Sequence, residues 1–448
     1  MAIIQQHPYL LASILLGAIY MFVVNRLRFK RVEAIKERYG FGDEPKSFQA
    51  MTVEQAQEIE HNLAEWDFPF LYEFSWLFDF LRTGSTPPLS YILAKSGHFV
   101  NEDPLVAHRR QQDTICLMSA FMAHPFNSEY NSLALARINV HHSNYPKINS
   151  DTVLYVIWHF WRASYIWINR VGWRTLEPFE IHALWVFWRE IGVRMGIKYV
   201  PYSIPEVERW SEIFRKEQVY PDKFNRIYTD AILNMFLCMV PGFLKPFARN
   251  CIVALLDEDV IWACQFEEYV IIPRAILRPA LLGVLRGLGL YQRWLCLPRR
   301  HPYVRSTTGP NPKTGLFNFP DYTYETTPYY VRPTLRNQWG PWALLNRLRG
   351  IAIPGPRYHS EGTSWEAMGA QRPTARLQAE NESDVRKLAK ILMAADWGYR
   401  APVRFQPRPF VQPLSLGYGS RVNAFPEDVK PLGQEEALKY KAPSDLES

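Results

Sequence analysis

Two polar clusters lie in segments of the chain that otherwise have the apolar pattern of helices. Residues 137–145 contain the adjacent histidines His141 and His142, and residues 109–114 carry two arginines, an aspartate and a threonine. Imidazole is the commonest metal-binding side chain and a usual proximal ligand of haem iron. Because polar groups on an apolar helix face need a partner or a function, we predict that these two segments line a haem pocket.

The first cluster falls on a predicted helix over residues 105–121. Positions spaced by three or four place one mixed stripe on this helix, which is half apolar and half polar: Val106, Arg110, Asp113, Thr114, Leu117 and Phe121. One interpretation of this stripe is an internal salt bridge that fixes neighbouring helices together. The other is a polar patch that faces a cofactor or a substrate, which the nearby histidines favour.

The histidine pair falls on a second predicted helix, over residues 128–144. His141 and His142 occupy neighbouring faces of this helix, so periodicity alone does not choose between them as a ligand. Three other histidines have structural interpretations. We interpret His159 as packing on an aromatic helix, His124 as a helix cap and His182 as a partnered core residue.

Motifs for other kinds of active site do not occur in the sequence. We do not find the two Glu-x-x-His motifs that a di-iron site requires, nor a G-x-S-x-G elbow, a P-loop or a G-x-G-x-x-G motif. The glycines of residues 283–289 have the wrong spacing for a dinucleotide loop and predict close helix packing or a turn. The five scattered cysteines are typical of reduced thiols in a cytosol-facing protein.

Composition and charge exclude one class of partner and favour another. The net charge of +7 is not arranged in blocks, and no zinc-finger or RNA-binding motif accompanies it, so we expect no nucleic acid. The 15 tryptophans exceed what a core of this size needs and indicate flat cavities, membrane contact or both.

Residues 9–24 are nearly all apolar, and basic residues follow them at once, from Arg26 to Arg31. Since the positive charge follows the apolar run and no cleavage site is evident, we predict an uncleaved transmembrane anchor rather than a signal peptide. The positive-inside rule then places the catalytic body in the cytosol, with the endoplasmic reticulum as the default membrane. The glycosylation sequon at 381–383 is then a chance match.

The remaining pattern predicts an all-α protein. Residues 28–66 suggest a charged helical linker, and residues 68–82 a core helix or a segment against lipid. Helices are predicted at 103–123, 128–144, 151–169, 177–195, 204–216 and 222–243. Residues 271–298 form a basic amphipathic stretch, either on a membrane surface or in a helix pair with a solvated basic face.

From residue 301 proline, tyrosine, glycine and threonine dominate, which predicts ordered loops up to residue 358, a short helix at 383–395 and a disordered tail. The predicted organisation is thus an anchor at 1–27, a helical haem-binding domain at 28–300 and an irregular Pro/Tyr-rich extension at 301–448.

In order and spacing, five motifs resemble the MpaB family of fungal ER-bound oxygenases. They are Arg-Arg-x-x-Asp-Thr at 109–114, Ala-Arg-Ile-Asn-x-x-His-x-x-Tyr at 136–145, and the motifs within residues 148–155, 173–180 and 187–197. That family is similar to the latex-clearing proteins, which are helical haem b dioxygenases that cleave isoprenoid double bonds with O2. The resemblance covers about residues 1–300.

The resemblance implies a role for each matching residue. His142 would be the proximal iron ligand, and Arg110, Asp113 and Thr114 would lie on the distal face. From its position on the same helix as His142, we further hypothesise that Arg137 pairs with a haem propionate. One position departs from the latex-clearing pattern, since Asp113 occupies the place of a lysine, and no counterpart of that family's catalytic glutamate is found.

The function implied is a haem-dependent oxygenase, anchored in the ER membrane by one span, that cleaves a C=C bond in the prenyl chain of a meroterpenoid-type secondary metabolite. Its partners would be O2 and a prenylated small molecule. A haem monooxygenase or peroxygenase acting on another lipid is the alternative enzyme. A membrane-anchored lipid-binding protein is the alternative without catalysis.

Overall fold

The all-α prediction is confirmed by a computed structural model, which describes residues 8–145, 148–307, 309–320, 327–369 and 375–394. Among these residues the only β-structure is three isolated bridges in the C-terminal part. The helices are α1 Pro8–Tyr39, α2 Val53–His61, α3 Pro69–Thr83, α4 Pro87–Lys95, α5 Pro104–Ala123, α6 Glu129–Ser143, α7 Ser150–Val171, α8 Pro178–Arg194, α9 Ile204–Gln218, α10 Lys223–Phe236, α11 Lys245–Leu255, α12 Glu258–Cys264, α13 Arg274–Leu295, α14 Leu335–Trp339, α15 Pro341–Leu348 and α16 Ala375–Ala394.

Side-chain caps explain where several of these helices begin. Thr52 and Gln55 form a reciprocal capping box at the start of α2. The side chains of Asp103, Ser128 and Asn149 accept backbone N–H groups at the starts of α5, α6 and α7. Five of the six predicted central helices therefore lie within about two residues of their observed bounds.

The sixth central helix is shorter than predicted. The sequence pattern extended it to residue 243, whereas α10 ends at Phe236. The chain turns before Pro241 and Gly242, and a proline cannot continue the hydrogen-bond ladder of a helix.

A single aromatic core joins the helices of the body. Helix α2 packs on α8, α3 packs on α7, and α7 packs on α8. The largest fully buried side chains lie mainly on α7 and α8 and include Trp158, Trp161, Trp185 and Trp188. The aromatic excess of the sequence thus fills the interior to a large extent.

Residues 28–66 are part of the body, so the prediction of a linker is wrong. Val32, Ile35 and Ile59 are buried in the core, and the fully buried carboxylate of Glu60 accepts from both terminal nitrogens of Arg305 at 2.7 and 2.9 Å. Composition missed this because the charged residues of the segment have partners far along the chain.

Residues 68–82 were left open between a core helix and a segment against lipid. Helix α3 covers most of this stretch, and Tyr72, Trp76 and Leu81 are buried in it, whereas Phe70 is exposed. The segment is therefore a core helix.

The N-terminal apolar run continues without a break into the body as helix α1. Its apolar first half is exposed at Ile14, Leu16 and Phe22, whereas Val24 and Arg28 are buried against the body. Among the described residues, this is one helix that is long and apolar enough to cross a membrane.

Helix α13 covers the basic stretch and packs against α1, α7 and α11. A Cβ on Gly289 would overlap the carbonyl oxygen of Val171, so glycine is required where α13 crosses the end of α7. The arginines of α13 are half-buried, and none is on its exposed face, so the alternative of a solvated basic face is wrong.

The C-terminal part contains more helix than predicted. Helices α14 and α15 lie in the region predicted as loops, and α16 begins at Ala375 instead of residue 383. Helix α16 packs along α6, and Asn381 of the sequon is buried within it. The predicted disordered tail lies outside the described residues.

Candidate active site

A cavity of about 200 Å³ lies between helices α3 to α8, helix α10 and a short segment of the C-terminal part. Its wall is mainly apolar, formed by leucine, isoleucine, methionine and phenylalanine side chains. Polar side chains enter this wall at eight positions: Thr83, Arg110, Thr114, Arg137, His141, His142, Thr152 and Tyr228. Four of the five predicted site residues are among them, so the fold brings the two predicted clusters to one cavity.

On α5, Arg110 and Thr114 form a unit one turn apart. The Arg110 guanidinium donates to the Thr114 hydroxyl oxygen, and that hydroxyl donates to the Arg110 carbonyl at 2.9 Å. The Nη2 of Arg110 lies 3.4 Å from Nε2 of His141 on α6. Burial lowers the pKa of Arg110, although an arginine stays charged at neutral pH. The cation is thus held at the cavity wall by a hydroxyl and an imidazole.

The two adjacent histidines differ in their hydrogen bonding. His141 faces Arg110 through Nε2, which must accept because a guanidinium only donates. Buried Nδ1 of His142 has no hydrogen-bond partner within the described structure. Sequence periodicity could not separate these residues, whereas their surroundings do.

Both histidines are neutral at physiological pH. Burial, with a smaller contribution from the Arg110 charge, lowers the pKa of His142 to about 4. The same two causes, with His142 and Arg137 adding to them, lower the pKa of His141 well below its usual value. Neutral imidazole retains the lone pair that binds a metal, so no proton has to be displaced at neutral pH.

Arg137 is fully buried one turn before His141. Its Nε donates to the carbonyl oxygen of Met368, and both residues line the cavity with Gly369. Gly369 has φ +86°, and a Cβ there would lie 3.6 Å from Nη2 of Arg137. Arg137 therefore supports a wall of the cavity that comes from far along the chain.

Asp113 is the one predicted site residue that does not line the cavity. Its Oδ1 accepts from the Tyr330 hydroxyl at 2.6 Å, and its Oδ2 accepts from the Gly369 N–H at 3.0 Å. Burial raises the pKa of Asp113, while these two bonds oppose that shift. Together with Arg137, Asp113 fastens the segment of residues 330–369 to the helical body.

Several cavity residues had no signal in the sequence. Thr83, Thr152 and Tyr228 lie on three separate helices, and Met368 and Gly369 follow the histidines by more than 200 positions. A helical period predicts a face but not its partner, so only spatial proximity reveals these residues.

The donor set fits one kind of metal centre. Within the described residues there is no group of three or more His, Cys, Asp and Glu side chains that could hold a bare metal ion. A porphyrin brings four nitrogen ligands of its own and needs one axial side chain from the protein. A neutral imidazole with an unpartnered nitrogen, in an apolar cavity, fits that requirement.

Comparisons with known proteins show what the chain is similar to. Residues 134–288 match the catalytic domain described as ER-bound oxygenase mpaB/B'/Rubber oxygenase. The match begins on α6 and ends within α13, so it includes Arg137, His141 and His142 but not the polar cluster of α5.

Curated relatives match over most of their length. The chain is 25% identical over 407 residues to ER-bound oxygenase mpaB' of Penicillium brevicompactum, which covers 87% of this chain and 93% of the relative. It is 26% identical over 363 residues to ER-bound oxygenase mpaB of the same fungus, and this alignment covers 77% of this chain and 83% of the relative. The match to an oxygenase catalytic domain and the similarity to these two oxygenases identify the protein as an enzyme with oxygenase activity.

Proposed function

We propose that this oxygenase uses haem b and O2 to cleave a C=C bond in the prenyl side chain of a meroterpenoid-type secondary metabolite. The observation that carries the proposal is the cavity, whose apolar wall contains a neutral imidazole with an unpartnered nitrogen, His142, and a cation, Arg110, that contacts the neighbouring His141. An isoprenoid chain is apolar along its length, and such a wall can bury it.

In this proposal His142 is the residue that would hold the haem iron. The haem supplies the oxygen chemistry, while the protein supplies the ligand, the apolar surroundings and the charge on the wall. Arg110 and Thr114 hold a positive charge and hydroxyl dipole against the cavity, where they can stabilise negative charge on an oxygen atom. Arg137 completes the wall and is the candidate partner of a propionate.

The membrane assignment rests on α1 and on the relatives. Both relatives bear the name ER-bound, and α1 is apolar until Val24 and basic from Arg26 to Arg31. We assign α1 as a single span of the ER membrane with the body on the cytosolic side, following the excess of positive charge. Such an anchor suits a prenylated substrate, which partitions into lipid.

The cofactor is tested on the full-length protein purified from haem-supplied cells. We expect a Soret absorption band in the wild type, its loss in His142→Ala and its retention in His141→Ala. The two alanine variants are matched because the residues are neighbours on one helix. A colourless, folded wild-type protein would overturn the haem assignment, and loss of the band only in His141→Ala would move the ligand by one residue.

The reaction is tested with prenylated phenols and labelled O2. We expect two carbonyl products from one double bond, each with one labelled oxygen atom. A single labelled hydroxyl or epoxide on an intact chain would contradict cleavage and support the monooxygenase alternative. The Soret band of the same sample shows whether an absent product reflects a missing cofactor.

A further inference from the structure

The outward face of α13 has an unusual composition for a surface helix. Every exposed position between Arg274 and Leu295 is an aliphatic, aromatic, glycine or proline residue, and none is charged. The large side chains on this face include Ile276, Val284, Leu288, Leu290, Trp294 and Leu295. A surface helix of a globular protein normally carries polar residues on the face away from the core.

The charged residues of α13 are turned toward the body. Arg274 donates to Glu258 at 2.9 Å, Arg286 to the carbonyl oxygen of Gly172 at 2.6 Å, and Arg293 to Asn25 at 3.0 Å. The helix thus directs these arginines to contacts with the body and leaves an apolar face along its 22-residue length, about 33 Å, toward the surroundings. Exposed apolar faces of this extent mark sites of interaction.

This face adjoins the membrane-anchor helix α1. The hydroxyl of Tyr20 donates to the carbonyl oxygen of Leu295 at 2.9 Å, and Arg28 donates to the carbonyl of Cys296 at 2.7 Å. Tyr20 lies in the apolar run of α1, and Val24 is where α1 becomes buried in the body. The C-terminal end of α13 therefore lies beside the point where α1 leaves the body.

A second apolar patch lies on α14 and α15. Leu335, Trp342 and Leu348 are each at least 76% exposed, the most exposed large apolar residues of these helices. Arg349, just after α15, donates to the carbonyl oxygen of Met239. Met239 leads into a loop in which Phe243 is also exposed. That loop leads into α11, which packs on α13.

The charge pattern of the sequence matches these two surfaces. No aspartate or glutamate occurs at residues 269–320 or 326–360, which contain α13 and α14–α15, whereas arginines recur throughout both stretches. Tryptophan and leucine with arginine, and without acidic residues, is the composition of helices that lie in the headgroup region of anionic membranes.

We propose that the outward face of α13, together with α14–α15, lies on the membrane surface and inserts its apolar side chains into the bilayer. The body would then contact lipid over a broad area in addition to its single span. The occupant is a bilayer with anionic headgroups because the patch joins α1 and its surroundings are basic. This inference uses the membrane assignment of α1 and is independent of the haem and of the reaction.

The test is lipid photolabelling of the full-length protein in vesicles of phosphatidylcholine and phosphatidylserine. A phosphatidylcholine with a diazirine in its acyl chain reports contact with the bilayer interior, and peptide mapping locates the label. We expect label in peptides from α1, α13 and α15, and none in α9, whose exposed face is charged. Label confined to α1 would overturn the proposal but leave the anchor intact. A separate bifunctional crosslinker that joined α13 to a second copy would assign the face to a dimer instead.

Substitutions on the apolar face provide the second arm. In Val284→Asp/Leu288→Asp we expect the label in α13 to fall to the level of α9, with the circular dichroism and any Soret band unchanged. Both side chains point away from the body, at 65% and 57% exposed, so the fold is retained. Tyr220→Asp, a matched change at an exposed aromatic residue outside the patch, should leave the label in α13 unchanged. Undiminished label in the double variant would overturn the assignment of this face.

Discussion

His142 at the cavity and His159 in the core show two uses of a histidine in one helical body. Nδ1 of His159 lies 3.1 Å from Oδ1 of Asp79, and its Nε2 lies 3.0 Å from the hydroxyl of Thr83. Both ring nitrogens of His159 therefore have partners. His142 lines the cavity and keeps a buried nitrogen without one.

The difference shows that burial alone does not identify a functional histidine. Burial lowers the pKa of both residues, to about 4 for His142 and well below its usual value for His159. What separates them is hydrogen bonding, because a partnered imidazole stabilises the fold and an unpartnered one keeps a lone pair for a ligand. The sequence interpretation of His159 as packing agrees with this geometry.

The largest effect is expected at the partnered histidine. His159→Ala leaves the buried Asp79 carboxyl and Thr83 hydroxyl without that ring, so we expect the free energy of unfolding to fall by about 3 kcal/mol. His142→Ala, measured without haem, should cost less than about 1 kcal/mol because the buried Nδ1 of His142 has no hydrogen bond to lose. Equal losses of unfolding free energy in denaturant melts of the two variants would contradict the distinction between a partnered and an unpartnered histidine.

Substitutions of Arg110 test whether this cation takes part in the chemistry at the cavity. Arg110→Ala removes the cation beside His141, and we expect oxygenase activity to fall by about 10- to 100-fold with the haem content retained. Arg110→Lys keeps the charge but not the planar fork, so it should recover part of the activity. Activity equal to the wild type in the alanine variant would contradict the placement of Arg110 at the reacting centre.

Substitution of Tyr330 tests how the C-terminal part of the cavity wall is held against the body. Tyr330→Phe removes the bond to Asp113, and we expect a loss of about 1 kcal/mol and faster hydrogen exchange at the Gly369 amide, which shares that carboxylate. Tyr329→Phe, which loses only a 3.4 Å contact to the Leu105 carbonyl, is the matched control. Unchanged exchange at Gly369 in both variants would show that Asp113 does not hold the segment.

His182, outside both regions, tests the effect of pH. Burial lowers its folded-state pKa to about 4, below the 6.5 expected when unfolded. The unfolded state thus binds a proton first as pH falls, and stability is lost between pH 6.5 and 4 by about 1 kcal/mol for this half-buried group. His182→Gln should flatten the fall of the melting temperature in that window, whereas His301→Gln, at an exposed site, should not.

Much of the helical body could be predicted because the helix starts and the apolar faces depend on residues that are close together in the sequence. Helices α5 to α9 begin at caps or prolines and follow the apolar period of their own residues. The same period placed Arg110, Thr114 and the histidines on two helices with mixed faces, which is why the cavity was predictable as a meeting of these clusters.

The rest depended on partners far along the chain. Asp113 shares its stripe with Arg110, but the sequence did not show that its carboxylate bonds to Tyr330 and Gly369 and lies outside the cavity wall. The linker prediction failed for the same reason at Glu60, whose partner Arg305 lies 245 positions away. The regular spacing of arginines on α13 was visible in the sequence. The sequence did not show which face of that helix packs against the body.

The peptide at Met368–Gly369 forms part of the cavity wall, held by Arg137 and Asp113. During translation the helices that carry the histidines emerge long before this peptide does. The cavity wall therefore stays incomplete during synthesis until Gly369 has left the ribosome.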